Sequence, residues 1–216
     1  MKRVFGLFEA LFDIVYLSIA LILGIILIST SASNSLRMLA GIMALVLALG
    51  DSFHLLPRIG VIFTGREEEL RGALGRGKQI TSVTMTIFYL FMWEIGKLKS
   101  SSGIGEIWTY IVYILAIIRI FICLLSQNRW KDQYSPVRWG ILRNIPFFML
   151  GEIVAVLFFI YKNEMAGLRW MWLAIGLSFS FYLPVVLWSN RNSKIGMLML
   201  PKTCAYLWML AMCLSL

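Results

Sequence analysis

The sequence predicts an all-α fold: a polytopic transmembrane bundle of seven helices, forming a single domain over residues 1–216. Three observations carry this. Hydrophobic residues make up 60% of the chain and charged residues only 14%, against roughly 45–50% and 25% in ordinary soluble domains. The apolar residues fall into runs near the length that a helix needs to cross a bilayer, about 20 residues. The basic residues of a chain with net charge +9 sit mostly in short segments between those runs, where the inside-positive bias places them. That distribution argues against nucleic acid as a partner. The length leaves room for one compact bundle and no sizeable soluble domain.

The first span covers residues 11–29. Glu9 and Asp13 interrupt its start, and its apolar run exceeds a signal-peptide core of about 7–15 residues, so a retained helix is expected. Asp13 reads as solvated near an interface. The second span covers residues 36–57, where Pro57 ends or kinks it. The polar stretch 64–78, with Arg66, Glu67, Glu68, Glu69, Arg71, Arg76 and Lys78, reads as a solvated loop with room for a short surface helix. The third span covers residues 79–95, with Thr81, Ser82, Thr84 and Thr86 in its first half. Such hydroxyls commonly bond their own helix or a neighbour. A flexible loop is expected over residues 100–105.

The fourth span, residues 107–126, holds Arg119. The loop 127–143 carries Trp130, Tyr134 and Trp139 among basic residues, which suits a membrane–water interface. The fifth span, residues 145–161, holds Glu152. The sixth, residues 168–188, carries Ser178, Ser180, Tyr182 and Pro184, and the seventh, residues 195–216, carries Pro201 and Lys202. Cys123, Cys204 and Cys213 all fall in apolar segments without metal-ligand spacing, so buried free thiols are expected. No metal site and no cofactor follow from the sequence.

Most of the Lys and Arg lie in the N-terminal tail and in the second, fourth and sixth connections. That bias puts the N-terminus in the cytoplasm and the C-terminus outside, in a bacterial cytoplasmic membrane. It also places the polar residues of the spans. Asp51, His54, Gln79, Ser180, Tyr182 and Lys202 fall in the cytoplasmic half, and Arg119 and Glu152 near mid-depth. A charge facing lipid costs about 2.5–3.5 kcal/mol even on insertion scales. Convergence on one cavity open to the cytoplasm is the cheaper arrangement, with Asp51, Glu152 and Lys202 pointing inward and Arg119 paired with Glu152. Asp51 and the chain's one histidine, His54, are three residues apart and share a helix face. An ionisable group inside a span is a functional-site hypothesis by default.

The segment Leu49-Gly50-Asp51-Ser52-Phe53-His54-Leu55-Leu56-Pro57-Arg58 resembles the Gly-Asp segment of the YhhN-type lysoplasmalogenase family of polytopic membrane proteins. The end of the chain is also similar: a helix closing on Trp188, a short basic turn through Arg191, and a last helix with Cys204-Ala205-Tyr206. The two matches cover about a quarter of the chain. The resemblance implies hydrolysis of the vinyl ether bond of a lysoplasmalogen, a membrane lysolipid, to an aldehyde and a glycerophospho head group. In that chemistry an acid protonates the vinyl carbon, and water then attacks the oxocarbenium ion. The resemblance makes Asp51 the acid and Glu152 or His54 its assistant. Lys202, Arg119, Tyr182 and Gln79 would then hold the lipid. The chain departs from the family in three places. Ser180-Phe181-Tyr182-Leu183-Pro184 carries no acid, Ser82-Val83 stands where family members often have a histidine, and seven spans replace the usual eight. Two other classes stay open. One is a non-enzymatic transporter or lipid-binding sensor, and the other an intramembrane enzyme that stabilises a carbocation.

Overall fold

The computed structural model describes residues 2–100, 103–133, 135–189 and 192–216. Ser101 and Ser102 of the expected loop, Tyr134 of the expected interfacial aromatics and Arg191 of the basic turn lie outside the described residues. Seven α-helices make up nearly all of the rest: α1 (Lys2–Ser29), α2 (Ser35–Thr64), α3 (Glu67–Lys99), α4 (Glu106–Leu124), α5 (Val137–Ile160), α6 (Met171–Trp188) and α7 (Met199–Met212). Short 3₁₀ turns follow α4, precede α7 and close the chain. No strand occurs among the described residues. Each helix packs on the next in sequence, and α7 packs back on α1, so the seven form a closed ring. Helix α3 also touches α5 across the ring and contributes the buried Phe88, Tyr89, Met92 and Trp93.

Among the described residues, six segments are long and apolar enough to cross a membrane: Gly6–Ser29, Ser35–Thr64, Glu106–Leu124, Val137–Ile160, Met171–Trp188 and Lys194–Ser215. The protein is therefore an integral membrane protein by length and composition. Helix α3 is the exception, because hydroxyls and aromatics dilute its apolar run and its first turns are charged. The outward faces carry the apolar side chains that water would reject. On α4 these are Ile107, Tyr110, Ile114, Ile117, Phe121 and Leu124, one helical stripe.

Local signals set most helix ends. Asn34 caps α2 by accepting from the N–H groups of Leu36 and Arg37 at 3.1 and 3.2 Å. Gly65, with φ of 73°, stops it in the left-handed conformation. Helix α3 starts on Glu67, Glu68 and Glu69 and ends on Lys97 and Lys99, each sign suiting the local end of the helix dipole.

Two boundaries differ from the sequence reading. The stretch 64–78 is not a loop, because α2 runs through Pro57 to Thr64 and α3 begins at Glu67. Helix α5 likewise begins at Val137 rather than at Ile145. Charged residues mark where a helix leaves lipid, not where it ends. Pro57 removes the N–H that would bond the Phe53 carbonyl. That carbonyl lies against Gly77 of α3, where a Cβ would collide with it. Gly50 sits against the Thr84 side chain in the same way, and Thr81 Oγ1 donates to the Gly50 carbonyl at 2.9 Å. The α2–α3 seam is thus closed by small residues, as helix contacts in membranes commonly are. Thr86 and Ser82 bond carbonyls of their own helix at 3.0 and 2.8 Å, as expected of that hydroxyl run. Cys123 and Cys213 are buried, but Cys204 is exposed, because it lies on the outer side of α7.

Candidate functional site

A cavity of about 340 Å³ opens at the end of the ring where α2 and α4 finish and α3, α5 and α7 start. That is near the lower bound of ordinary small-molecule sites, roughly 300–1,000 Å³. Lys78, Arg119, Arg143 and Lys202 line it, and no Asp or Glu does. His54, Asn144, Tyr182 and Gln133 add polar groups, while Met85, Phe147 and Val185 supply apolar wall.

Each cation is positioned by what surrounds it. Arg119 is 2% exposed. Its guanidinium carbon lies 3.2 Å from the centroid of the Phe147 ring, a cation–π stack. Its Nε and Nη1 have no hydrogen-bond partner. Arg143 lies over Trp130 at 4.1 Å and donates from Nη1 to Asn128 Oδ1 at 3.0 Å. Asn128 in turn bonds the Leu125 carbonyl at 3.0 Å, tying Arg143 to the end of α4. Lys202 is 9% exposed and lies between two rings, its Nζ 4.7 Å from the Tyr206 centroid and 5.0 Å from that of Tyr182. Pro201 before it is in the first turn of α7, where a missing N–H breaks no helical bond. Tyr182 donates to Asn144 Oδ1 at 3.1 Å, and Asn144 donates to the Gly140 carbonyl at 2.8 Å. No carboxylate lies within 4.0 Å of any of these four cations among the described residues.

Asp51 lies beside this cavity, not in its lining. It is half-buried and accepts a hydrogen bond from the Tyr16 hydroxyl of α1 at 2.6 Å. The Lys202 ammonium acts on it through space. Asp51 in turn acts through space on Asp13, one turn from Tyr16 on α1. Asp13 is only 7% exposed, so the solvated position expected of it is not found. Packing of α1 on both α2 and α7 encloses it. Arg58 and Glu9 close the same seam with a 2.8 Å ion pair. His54 does reach the cavity, one helical turn beyond Asp51.

Glu152 does not join the site. It is exposed and lines a separate groove with Trp93, Trp108 and Tyr161. The expected Arg119–Glu152 pair is therefore not formed. Arg119 meets Phe147 instead, and Glu152 is on the outward side of α5, about two turns before its C-terminal end. Gln79 is also outside the lining: its Nε2 donates to the Cys123 carbonyl at 3.2 Å. Trp130 Nε1 donates to that same carbonyl at 2.9 Å. Gln79 thus fastens α3 to the end of α4.

Comparison with family models, with curated proteins and with solved structures finds no match. The chemistry of the site must be taken from its own residues. No group of three or more His, Cys, Asp or Glu suited to a metal ion occurs among the described residues. Four like charges around a cavity walled partly by apolar groups repel one another. An anion among them relieves that repulsion. Guanidinium forks and ammonium groups together suit phosphate oxygens.

Three contributors escaped the sequence reading. Lys78 and Arg143 fell in stretches read as loops, although each lies next to an apolar run. Tyr16 was one aromatic among many in an apolar span.

Proposed function

We propose that the chain is an integral-membrane binding protein for a phosphate-bearing amphiphile of the lysophospholipid class. The observation that carries this is the cavity lined by Lys78, Arg119, Arg143 and Lys202 without a carboxylate. The phosphate lies among the four cations, Asn144 and Tyr182 orient it, and the acyl or alkenyl tail runs along the apolar wall formed by Met85, Phe147 and Val185. All seven helices cross the membrane, α3 included, shielded on the inside of the ring. The basic bias turns the cavity mouth, the N-terminus and the α2–α3 turn to the cytoplasm, and the C-terminus to the outside of a bacterial cytoplasmic membrane.

The test is a titration of detergent-solubilised protein with a lysophospholipid. Truncating one partner of a buried charge pair typically costs about 2–5 kcal/mol of binding. Lys202→Met and Arg143→Gln are each expected to weaken binding at least tenfold with unchanged folding. Full affinity in both variants would place the ligand elsewhere.

A second reading, hydrolysis of a lysoplasmalogen as the YhhN-type resemblance implies, is favoured by one specific observation. Asp51 holds a short hydrogen bond with Tyr16 one helical turn from the cavity wall. In that reading Asp51 is the acid, His54 its partner toward water, and the four cations hold the head group. Glu152 has no part in it, because it faces a different groove.

A further inference from the structure

The opposite end of the ring holds a second groove, of about 330 Å³, between the end of α3, the start of α4 and the end of α5. Its chemistry is the reverse of the cationic cavity. Among the described residues that line it, Glu152 is the one charged group, Trp93, Trp108 and Tyr161 are its aromatic walls, and the rest is aliphatic apart from Gly105. Two facts about it call for a cationic ligand. Glu152 lies about 12 Å inside the end of α5, at 1.5 Å per residue over the eight residues to Ile160. A carboxylate at that depth is costly unless it meets a cation. It forms no hydrogen bond or ion pair among the described residues. Trp93, 1% exposed, gives the groove a buried aromatic wall.

We infer that this groove binds an organic ammonium group, the Glu152 carboxylate meeting its charge and Trp93, Trp108 and Tyr161 its alkyl substituents. Aromatic faces attract alkylammonium cations, most strongly where water is excluded. A metal ion suits the groove poorly. Hard cations of the calcium type take about 6–8 oxygen ligands, and Glu152 is the one side-chain carboxylate here. The aliphatic lining from Ile153, Val156, Leu157 and Ile160 suits a ligand with an apolar portion. This inference does not rest on the proposed phosphate site.

The experiment is isothermal titration of the whole chain, in an uncharged maltoside detergent, with benzyltrimethylammonium and with benzyl alcohol as its uncharged comparator. Saturable binding of the ammonium compound is expected, at least tenfold tighter than the alcohol. Glu152→Gln and Trp108→Leu are each expected to weaken it at least tenfold, while Lys202→Met, at the other end of the ring, leaves it unchanged. Trp108 is half exposed, so its replacement tests the groove even where Glu152→Gln lowers folding yield. Absence of saturable binding, equal affinity for the alcohol, or wild-type affinity in folded Glu152→Gln would overturn the inference. Loss of lysophospholipid binding in Lys202→Met with ammonium binding intact separates the two sites.

Discussion

Arg119→Met is expected to raise the unfolding temperature of the detergent-solubilised protein while abolishing measurable lysophospholipid binding. Arg119 is buried to 2% exposure. It stacks on Phe147, and two of its nitrogens have no hydrogen-bond partner. A guanidinium held that way is costly, since taking a charge out of water is repaid only by good pairing. Replacing buried charged groups with apolar residues of similar volume is often neutral or stabilising by about 1–4 kcal/mol. Methionine keeps the length and the contact with the Phe147 ring and removes the charge. The same change deletes the deepest cation of the cavity, and a fall of at least thirtyfold in affinity follows from a loss of about 2 kcal/mol or more. Thermal unfolding and ligand titration on one preparation check both halves. A lower unfolding temperature with binding intact would make Arg119 a structural residue.

The largest effect expected for the hydrolytic reading is at Asp51. Asp51→Asn keeps an oxygen to accept from Tyr16 and removes the acid. Loss of general acid assistance typically slows a reaction by about 10²–10⁴-fold. Aldehyde release from a lysoplasmalogen is therefore expected to fall by that factor, with lysophospholipid affinity unchanged because Asp51 is outside the cavity lining. Tyr16→Phe is expected to act in the same direction but less, since it removes only the partner that orients the carboxyl group. Release at the wild-type rate by Asp51→Asn would dismiss Asp51 as the acid. Lack of aldehyde release by the wild-type protein leaves the binding reading standing alone.

The all-helical membrane fold was legible in the sequence because apolar runs of bilayer length admit few alternatives. The helices themselves run further than the apolar runs, and that difference hid half of the cavity's charge. Lys78 belongs to the fourth turn of a helix that begins at Glu67, and Arg143 to the second turn of one that begins at Val137. Both positions read as loop from composition, since charge follows the water boundary and not the hydrogen-bond ladder. Lys202 and Tyr182 were legible, because depth along α6 and α7 placed both at the same level. Glu152 shows the limit of that logic. Its place along the helix could be read, but α5 is apolar on every side, so its sequence carries no phase to tell the ring interior from the outside. Arg119 was found for its cost and mis-paired for the same reason. Its true partner, an aromatic face, leaves no charge signal in the sequence.

The central claim, a phosphate held in the cationic cavity, is tested most directly by photolabelling. A lysophospholipid carrying a diazirine at the glycerol next to its phosphate is bound to the purified protein, irradiated, and the labelled peptides are sequenced. Labels are expected on α5 around Arg143 to Phe147, on α7 around Met199 to Lys202, or on Tyr182, competed by unlabelled lysophospholipid but not by an uncharged monoacylglycerol. Labels confined to the lipid-facing stripe of α4, at Ile114, Ile117 or Phe121, or competed equally by the uncharged compound, would contradict that claim.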